Sequence, residues 1–235
     1  MSDDRPLPIL YNYWWSSCAW RVRIALNLKK IDYEYRPVDM DNSQQKSAEF
    51  LKINPRGLVP ALVHNGKIFT ESMAIVEYLE EKFADAKPKL LPENPDDRVA
   101  VRALAFQIAC NIQPLQNTGV LAYLREENDL TKADEFAVHW IERGFAALEE
   151  MLSKTAGKFC YGDEISLADI CIPPQVFNAT RRFGINMNKF PRIKRINETL
   201  SQLPEFHKAH PAQQIDAPAD VSRYLDSIGI VVKQR

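Results

Sequence analysis

The stretch that decides the fold is Ser16-Ser17-Cys18-Ala19-Trp20-Arg21-Val22-Arg23-Ile24-Ala25-Leu26. Two hydroxyls and a thiol stand side by side at its start. An apolar run from Leu7 to Tyr13 precedes it. Behind it Trp20, Ile24 and Leu28 recur at i, i+4 and i+8, with Ala25 beside them, which makes one stripe of a helix. Arg21, Arg23, Lys29 and Lys30 take much of the remainder. The pattern reads as a strand over 7–13, a turn, and a helix from Ser17 to Lys30. A helix N-terminus carries about half a positive charge and free N–H groups. This opening therefore favours an anion, a thiolate included. Two other readings stay open from these residues. The serines can serve as plain N-caps, the commonest role of serine at a helix start. Cys18, placed where a thiolate is favoured, can itself be a nucleophile.

Working outward, Tyr33 to Val38 reads as a second strand and Gln44 to Leu51 as a short helix. Asn54-Pro55-Arg56-Gly57 is a loop signal. Pro60 to Val63 and Lys67 to Thr70 are short strands joined around Asn65-Gly66, a hairpin turn signal. Glu71 to Phe83 is a helix with Ile75, Leu79 and Phe83 on one face. The order β-α-β-(α)-β-β-α predicts a parallel first pair and an antiparallel hairpin, hence a mixed four-stranded sheet with helices on its faces. Ala86 to Pro95 holds three prolines and no periodicity, and reads as a linker. Only helical patterns follow. Val99, Ala103, Phe106 and Cys110 form one stripe, and Val138, Ile141, Phe145, Leu148 and Leu152 another. Gln113 and Asn117, four apart, share one face of a long helix. Ser166-Leu167-Ala168-Asp169 has the spacing of a capping box, and Pro173 and Pro174 inside the pattern that follows predict a kink. Phe190-Pro191 opens another helix to Gln202. The segment 216–235 is weakly patterned. Two domains are expected, an α/β one over 1–86 and an all-α one over 96–235.

Composition narrows the function classes. The 235 residues are 46% hydrophobic and 26% charged, with a net charge of −1. The scattered Lys and Arg leave no electrostatic footprint for nucleic acid or an anionic membrane. No apolar run approaches the roughly 20 residues that span a bilayer. The acidic, polar start Met1-Ser2-Asp3-Asp4-Arg5-Pro6 is unlike a secretory or transit signal, so a cytoplasmic location is expected. The four cysteines, Cys18, Cys110, Cys160 and Cys171, show no repeated spacing. Arg21 occupies the position where a resolving cysteine would complete C-x-x-C, and no Cys/His set has metal-binding spacing. No disulfide and no metal are expected, and Cys110, Cys160 and Cys171 read as small core residues. The four histidines, His64, His139, His207 and His210, share no spacing and receive no role.

The β-α-β-α-β-β-α module, a Pro-rich linker and an all-helical domain together resemble the cytosolic glutathione transferases, whose N-terminal domain is thioredoxin-like. Val59-Pro60 is similar to that family's cis-proline step, Glu71-Ser72 to its pair for the γ-glutamyl end of glutathione, and Ser166 to Asp169 to its helix cap. The opening eleven residues closely match the S-S-C-x-W-R-V-R-I-A-L signature of the zeta class, whose members include maleylacetoacetate isomerases. Ile112-Gln113-Pro114-Leu115-Gln116-Asn117 resembles a second zeta hallmark, and Gln44-Gln45 a third. The resemblance covers residues 7–215. Trp15 departs from it, since many relatives carry arginine there, and so does Glu71, where glutamine is frequent.

The resemblance implies glutathione as coenzyme and a homodimer. It implies that Ser16 hydrogen-bonds the glutathione thiolate, with Ser17 and Cys18 in support. Ser72 would bind the γ-glutamyl carboxylate and Glu71 would sit near its ammonium. Val59, turned outward by a cis Pro60, would pair with the cysteinyl backbone like an added strand. Gln45 would contact the glycyl end, and Gln113 and Asn117 would line the site. Arg21 and Arg181 are the candidates for a small dicarboxylate substrate; counting from Asn178 favours Arg181, counting back from Phe183 favours Arg182, and Arg181 is the one chosen. The implied reaction is cis–trans isomerisation of maleylacetoacetate to fumarylacetoacetate in phenylalanine and tyrosine breakdown, with side activity on α-haloacids. Two rivals remain: a thiol transferase or dehydroascorbate reductase using Cys18, and a non-catalytic binding module of the same fold.

Overall fold

The computed structural model describes residues 6–127 and 130–221. By backbone contacts these form two compact units, 6–88 with 204–221, and 89–203. The first unit contains β1 (Ile9–Asn12), α1 (Ser17–Leu28), β2 (Glu34–Pro37), α2 (Ala48–Ile53), β3 (Ala61–His64), β4 (Lys67–Thr70) and α3 (Ser72–Lys82). The sheet order is β2-β1-β3-β4. β1 runs parallel to β2, with Asn12 opposite Pro37. β3 is antiparallel to β1, with Ala61 opposite Tyr11, and β4 is antiparallel to β3, with Thr70 opposite Ala61. The expected mixed four-stranded sheet is the observed one. Asn65 and Gly66 turn the hairpin with φ of 52° and 71°, the left-handed pair that a two-residue connection demands.

Two sequence readings in this unit change. The helix expected over Gln44 to Leu51 divides into a 3-10 turn, Gln44–Lys46, and α2. Ser47 is extended between them, and its Oγ accepts from Phe50 N–H at 3.2 Å, so a helix cap interrupts the pattern. Helix α1 is buried on nearly every side, not on the one stripe alone. Several of its buried polar residues, and the lysine that caps it, tolerate this by finding partners. Asn27 donates to Glu205 O at 3.0 Å, and Lys29 pairs with Glu80 at 2.7 Å. Glu205 opens α9 (Pro204–Ala209), an element the sequence pattern did not announce.

The second unit is helical. It contains α4 (Pro95–Asn111), α5 (Thr118–Glu127), α6 (Leu130–Thr155), α7 (Ile172–Arg181) and α8 (Pro191–Ser201). Four of the five residues of the α6 stripe, Ile141, Phe145, Leu148 and Leu152, are buried, and Val138 is half-buried. Gly144 lets α6 pass close to Ile112: an added Cβ would lie 2.3 Å from the Ile112 side chain. The α4 stripe is corrected. Val101, Leu104, Ala105 and Ile108 are buried, whereas Val99 is 66% and Phe106 37% exposed. The helix carries two apolar rows, and periodicity alone does not choose between them. Cys110, on the outer row, is exposed rather than a core residue; Cys160 and Cys171 are buried, and all four cysteines are free. Gln113 and Asn117 do not share one long helix. A 3-10 turn, Gln113–Gln116, separates α4 from α5, and Pro114 within it cannot donate to a helical ladder. Pro173 and Pro174 lie in the first turn of α7, where no N–H is needed, so they open the helix instead of kinking it. The cap before it holds: Asp169 Oδ2 accepts from both the N–H and the hydroxyl of Ser166 at 2.8 Å, and Oδ1 accepts from Cys160 N–H at 2.9 Å. Burial raises the Asp169 carboxyl's pKa while these donors pull it back. The weakly patterned tail lies outside the described residues from 222 onward.

Candidate active site

Topology gathers the candidate residues of the first unit. β1 and β2 are parallel and β3 runs against them, so the end of β1, the end of β2, the start of β3 and the end of β4 meet at one edge of the sheet. From that edge the chain continues into Ser16, into the loop before Gln45, back to Val59-Pro60, and into Glu71-Ser72. Two helix N-termini, those of α1 and α3, open there.

Ser16 is the N-cap of α1, and its Oγ accepts from Ala19 N–H at 3.2 Å. A hydroxyl has two lone pairs and one proton. The capping bond uses a lone pair, and among the described residues nothing accepts the proton. The capping role and a donor role are therefore compatible in one residue. Ser17 is buried, and Cys18 is half-buried with Sγ 3.9 Å from Arg21 Nη1. Val59-Pro60 is a cis bond. Gln45 is buried, not an exposed residue of a weak helix, and its Oε1 has no hydrogen-bond partner. Gly57, at φ +61°, fits against the Gln45 carbonyl: a Cβ there would stand 3.0 Å from that oxygen.

At α3, Glu71 precedes the helix at φ +66° and pairs with Arg56 at 2.8 Å on the surface. Ser72 is buried, and its Oγ accepts from Arg21 Nη1 at 3.3 Å. Arg21 thus touches both helix openings, a juxtaposition that sequence spacing did not reveal.

The turn that carries Ser16 is held from elsewhere. Arg23 donates to Trp14 O at 3.1 Å and to Asn12 Oδ1 at 2.9 Å. Burial pushes the Arg23 pKa down to about 10, with Tyr35, Tyr33 and Asp216 opposing. Asp216 accepts from Trp14 N–H at 3.0 Å and from the Tyr35 hydroxyl. A cavity of about 370 Å³ opens beside this turn, lined by Tyr13, Trp14, Val38, Asp39, Asp41 and Asp216 among others. None of the candidate site residues lines it, and its carboxylates suit it poorly to an anion.

In the helical unit, Asn117 Oδ1 accepts from Gly119 N–H at 3.0 Å and so caps α5. Gln113 is half-buried. Gln116, quoted above only as part of a motif, and Gln175, unmarked by the sequence reading, form a buried amide pair at 3.0 Å. Arg181 ends α7 and is exposed. Arg182 lies over the Phe183 ring at 5.1 Å. Burial, then the nearby Arg125 cation, lowers its pKa while Asp134 opposes. Among the described residues no group of three metal-ligating side chains is placed to hold an ion, and no helix is long and apolar enough to cross a membrane.

Comparison with known proteins agrees with this architecture. The profile of the glutathione S-transferase N-terminal domain matches residues 15–82, and that of the C-terminal domain matches 116–208. The chain belongs to the glutathione S-transferase family. It is 47% identical over 216 residues to maleylacetoacetate isomerase of Rattus norvegicus, covering 91% of this chain and 97% of that one. It is 44% identical over 214 residues to a zeta-class glutathione S-transferase of Euphorbia esula, covering 91% and 94%. The crystal structure of maleylacetoacetate isomerase from Anaeromyxobacter dehalogenans 2CP-1, with dicarboxyethyl glutathione and citrate bound in the active site, superposes with a TM-score of 0.81 at 42% identity, covering 90% and 98%. Within the family these relatives put the chain in the zeta class, with the maleylacetoacetate isomerases.

Proposed function

We propose that this protein catalyses the glutathione-dependent cis–trans isomerisation of maleylacetoacetate to fumarylacetoacetate, with transferase activity on small α-haloacids, in the cytoplasmic breakdown of phenylalanine and tyrosine. Two orphaned polar groups fit the coenzyme at the sheet edge: the unpartnered Oε1 of Gln45 suits a ligand N–H, and the buried cation of Arg21 suits a carboxylate. Glutathione, when bound, supplies the thiolate that adds to the cis double bond and leaves again once rotation about the resulting single bond has made the bond trans. The work of the chain is to make and hold that sulfur anion. Ser16 donates its free proton toward the sulfur, and the α1 N-terminus adds positive potential at the same point. Ser17 and Cys18 support the turn. Gln45 and the backbone of Val59 beside Pro60 hold the middle and glycyl end. Glu71 and Ser72 take the γ-glutamyl end. From the helical unit, Gln113 and Asn117 are assigned to the coenzyme and Arg181 to a substrate carboxylate, where an exposed guanidinium can bind in bidentate fashion.

The observation that carries this reading is Ser16: an N-cap whose hydroxyl proton has no acceptor in the described protein. The test is isomerase turnover of Ser16→Ala and Cys18→Ala. Loss of the donor lowers turnover roughly 10²–10³-fold, the usual scale for one hydrogen bond to a reacting anion, while Cys18→Ala keeps most activity. Full activity in Ser16→Ala with a dead Cys18→Ala would favour the thiol transferase instead. Absence of any glutathione-dependent activity in the unaltered chain would favour the binding module.

A homodimer is part of the same proposal. Its support is the outer apolar row of α4, Val99, Ala103 and Phe106, left exposed in the single chain. Sedimentation velocity should show a dimer, and the double change Val99→Glu with Phe106→Glu should yield a folded monomer.

A further inference from the structure

Arg21 is 2% exposed. Nη1 donates to Ser72 Oγ at 3.3 Å and lies 3.9 Å from Cys18 Sγ. Nε and Nη2 are buried and have no hydrogen-bond partner. Among the described residues no carboxylate lies within ion-pair distance of it. A cation buried this deeply ordinarily brings its counter-charge with it. Lys29, the C-cap of the same helix, has Glu80 at 2.7 Å. The acidic residue next to Ser72 does not serve, because Glu71 is turned outward to Arg56.

The geometry at Ser72 says what is missing. The Arg21 N–H occupies one lone pair of Oγ, which directs the hydroxyl proton away from the guanidinium. Ser72 is also the first residue of α3, an 11-residue helix whose opening N–H groups present positive potential. A buried cation, a helix N-terminus and an outward hydroxyl proton thus converge on one place. The complementary group is an anion with oxygen acceptors, and a carboxylate is the fitting class.

We propose that Arg21 is a positioning residue for glutathione: acting through Ser72, it fixes the hydroxyl that receives the carboxylate of the γ-glutamyl end, and it does not bind the acidic second substrate. The proposal rests on the reading that Ser72 takes that carboxylate. It moves Arg21 from the substrate side of the site, where sequence reasoning grouped it with Arg181, to the coenzyme side.

The test compares the intact protein with Arg21→Met, Arg21→Lys, Ser72→Ala and the double variant Arg21→Met with Ser72→Ala. Turnover on maleylacetone gives KM for each substrate and kcat. Calorimetry uses two probes, glutathione and glutathione amidated at the glutamyl α-carboxyl. Arg21→Met raises KM for glutathione about 10- to 100-fold, the scale of one charge-assisted hydrogen bond. KM for maleylacetone stays within about twofold, and Arg21→Lys recovers part of the loss. The double variant is no worse than the poorer single one, because both changes break one relay. The unaltered protein prefers free glutathione to the amide, and Arg21→Met loses that preference. A rise in KM for maleylacetone with glutathione binding unchanged overturns the proposal, as do multiplicative effects in the double variant. If Ser72→Ala binds glutathione normally, the underlying reading of Ser72 has failed; if Ser72→Ala is weakened and Arg21→Met is not, only the role of Arg21 has failed. Should Arg21→Met not fold, Arg21→Lys and the amide comparison on the unaltered protein decide the matter: equal affinity for the two probes overturns it.

Discussion

Arg21 and Arg23 stand two residues apart on α1, and both are buried, at 2% and 0% exposure. Their surroundings differ completely. The Arg23 guanidinium donates to Ala209 O at 3.0 Å, to Asn12 Oδ1 at 2.9 Å, to Tyr13 O at 3.4 Å and to Trp14 O at 3.1 Å. Every nitrogen is used, and the Asp216 carboxylate lends favourable charge. Arg21 has one hydroxyl, one sulfur and two orphaned nitrogens. Exposure alone would class them together. Accounting for donors separates an arginine that completes the fold from one kept for the site beside it, since a buried donor left unmet costs free energy and a protein keeps it only for a reason.

The comparison can be broken by measuring stability, and the largest effect is expected at Arg23. Arg23→Met takes one donor from each of four acceptors, of which Asn12 Oδ1 and Tyr13 O keep a backbone N–H, so unfolding free energy falls by about 3–5 kcal/mol. Urea titration followed by far-UV circular dichroism reads this directly; a variant as stable as the parent would remove the structural role. A smaller change is expected at Asp216, which shares the task of holding the turn before Ser16. Asp216→Asn keeps one acceptor of two and loses the charge near Arg23, for a loss of about 1 kcal/mol; the same titration checks it. The smallest effect is the most telling. Arg21→Met in the absence of glutathione is expected within about 1 kcal/mol of the parent, or above it, because an uncompensated buried charge is replaced by an apolar chain. A midpoint that falls as far as that of Arg23→Met would mean that Arg21 is structural after all.

Much of the first unit was legible from residues 7–83. The four strands, though not the exact ends of the first three, the Asn65-Gly66 turn and the mixed sheet follow from apolar runs and turn residues that act over a few positions, where local sterics dominate. The α6 stripe was legible for the same reason, because a single apolar row leaves one choice of buried face. Helix α4 was not: two rows, Val99 with Phe106 and Leu104 with Ile108, offered two faces, and only the packing selected the second. Helix α1 misled in the opposite sense. Its apolar row predicted a half-exposed helix, yet Asn27, Lys29 and Arg23 are buried because Glu205 O, Glu80 and Ala209 O meet them. At the candidate site, Ser16, Gln45, Val59-Pro60 and Glu71-Ser72 could be singled out as short motifs, and the sheet order brings their segments to one edge. The Arg21–Ser72 contact, 51 positions long, and the hold of Asp216 on Trp14, 202 positions long, have no signal at either end of the chain.

The eleven residues from Ser16 to Leu26 determined by themselves that a helix opens with two hydroxyls and a thiol, and that an anion is favoured there, because capping and the helix dipole depend on neighbours in the chain. Which of that helix's arginines is satisfied, which serine it leans on, and which donor remains free were decided only when β1, α3 and the segment after residue 204 closed around it. Hydrogen-bond satisfaction in a core depends on groups brought together through space, and no spacing within one helix encodes it.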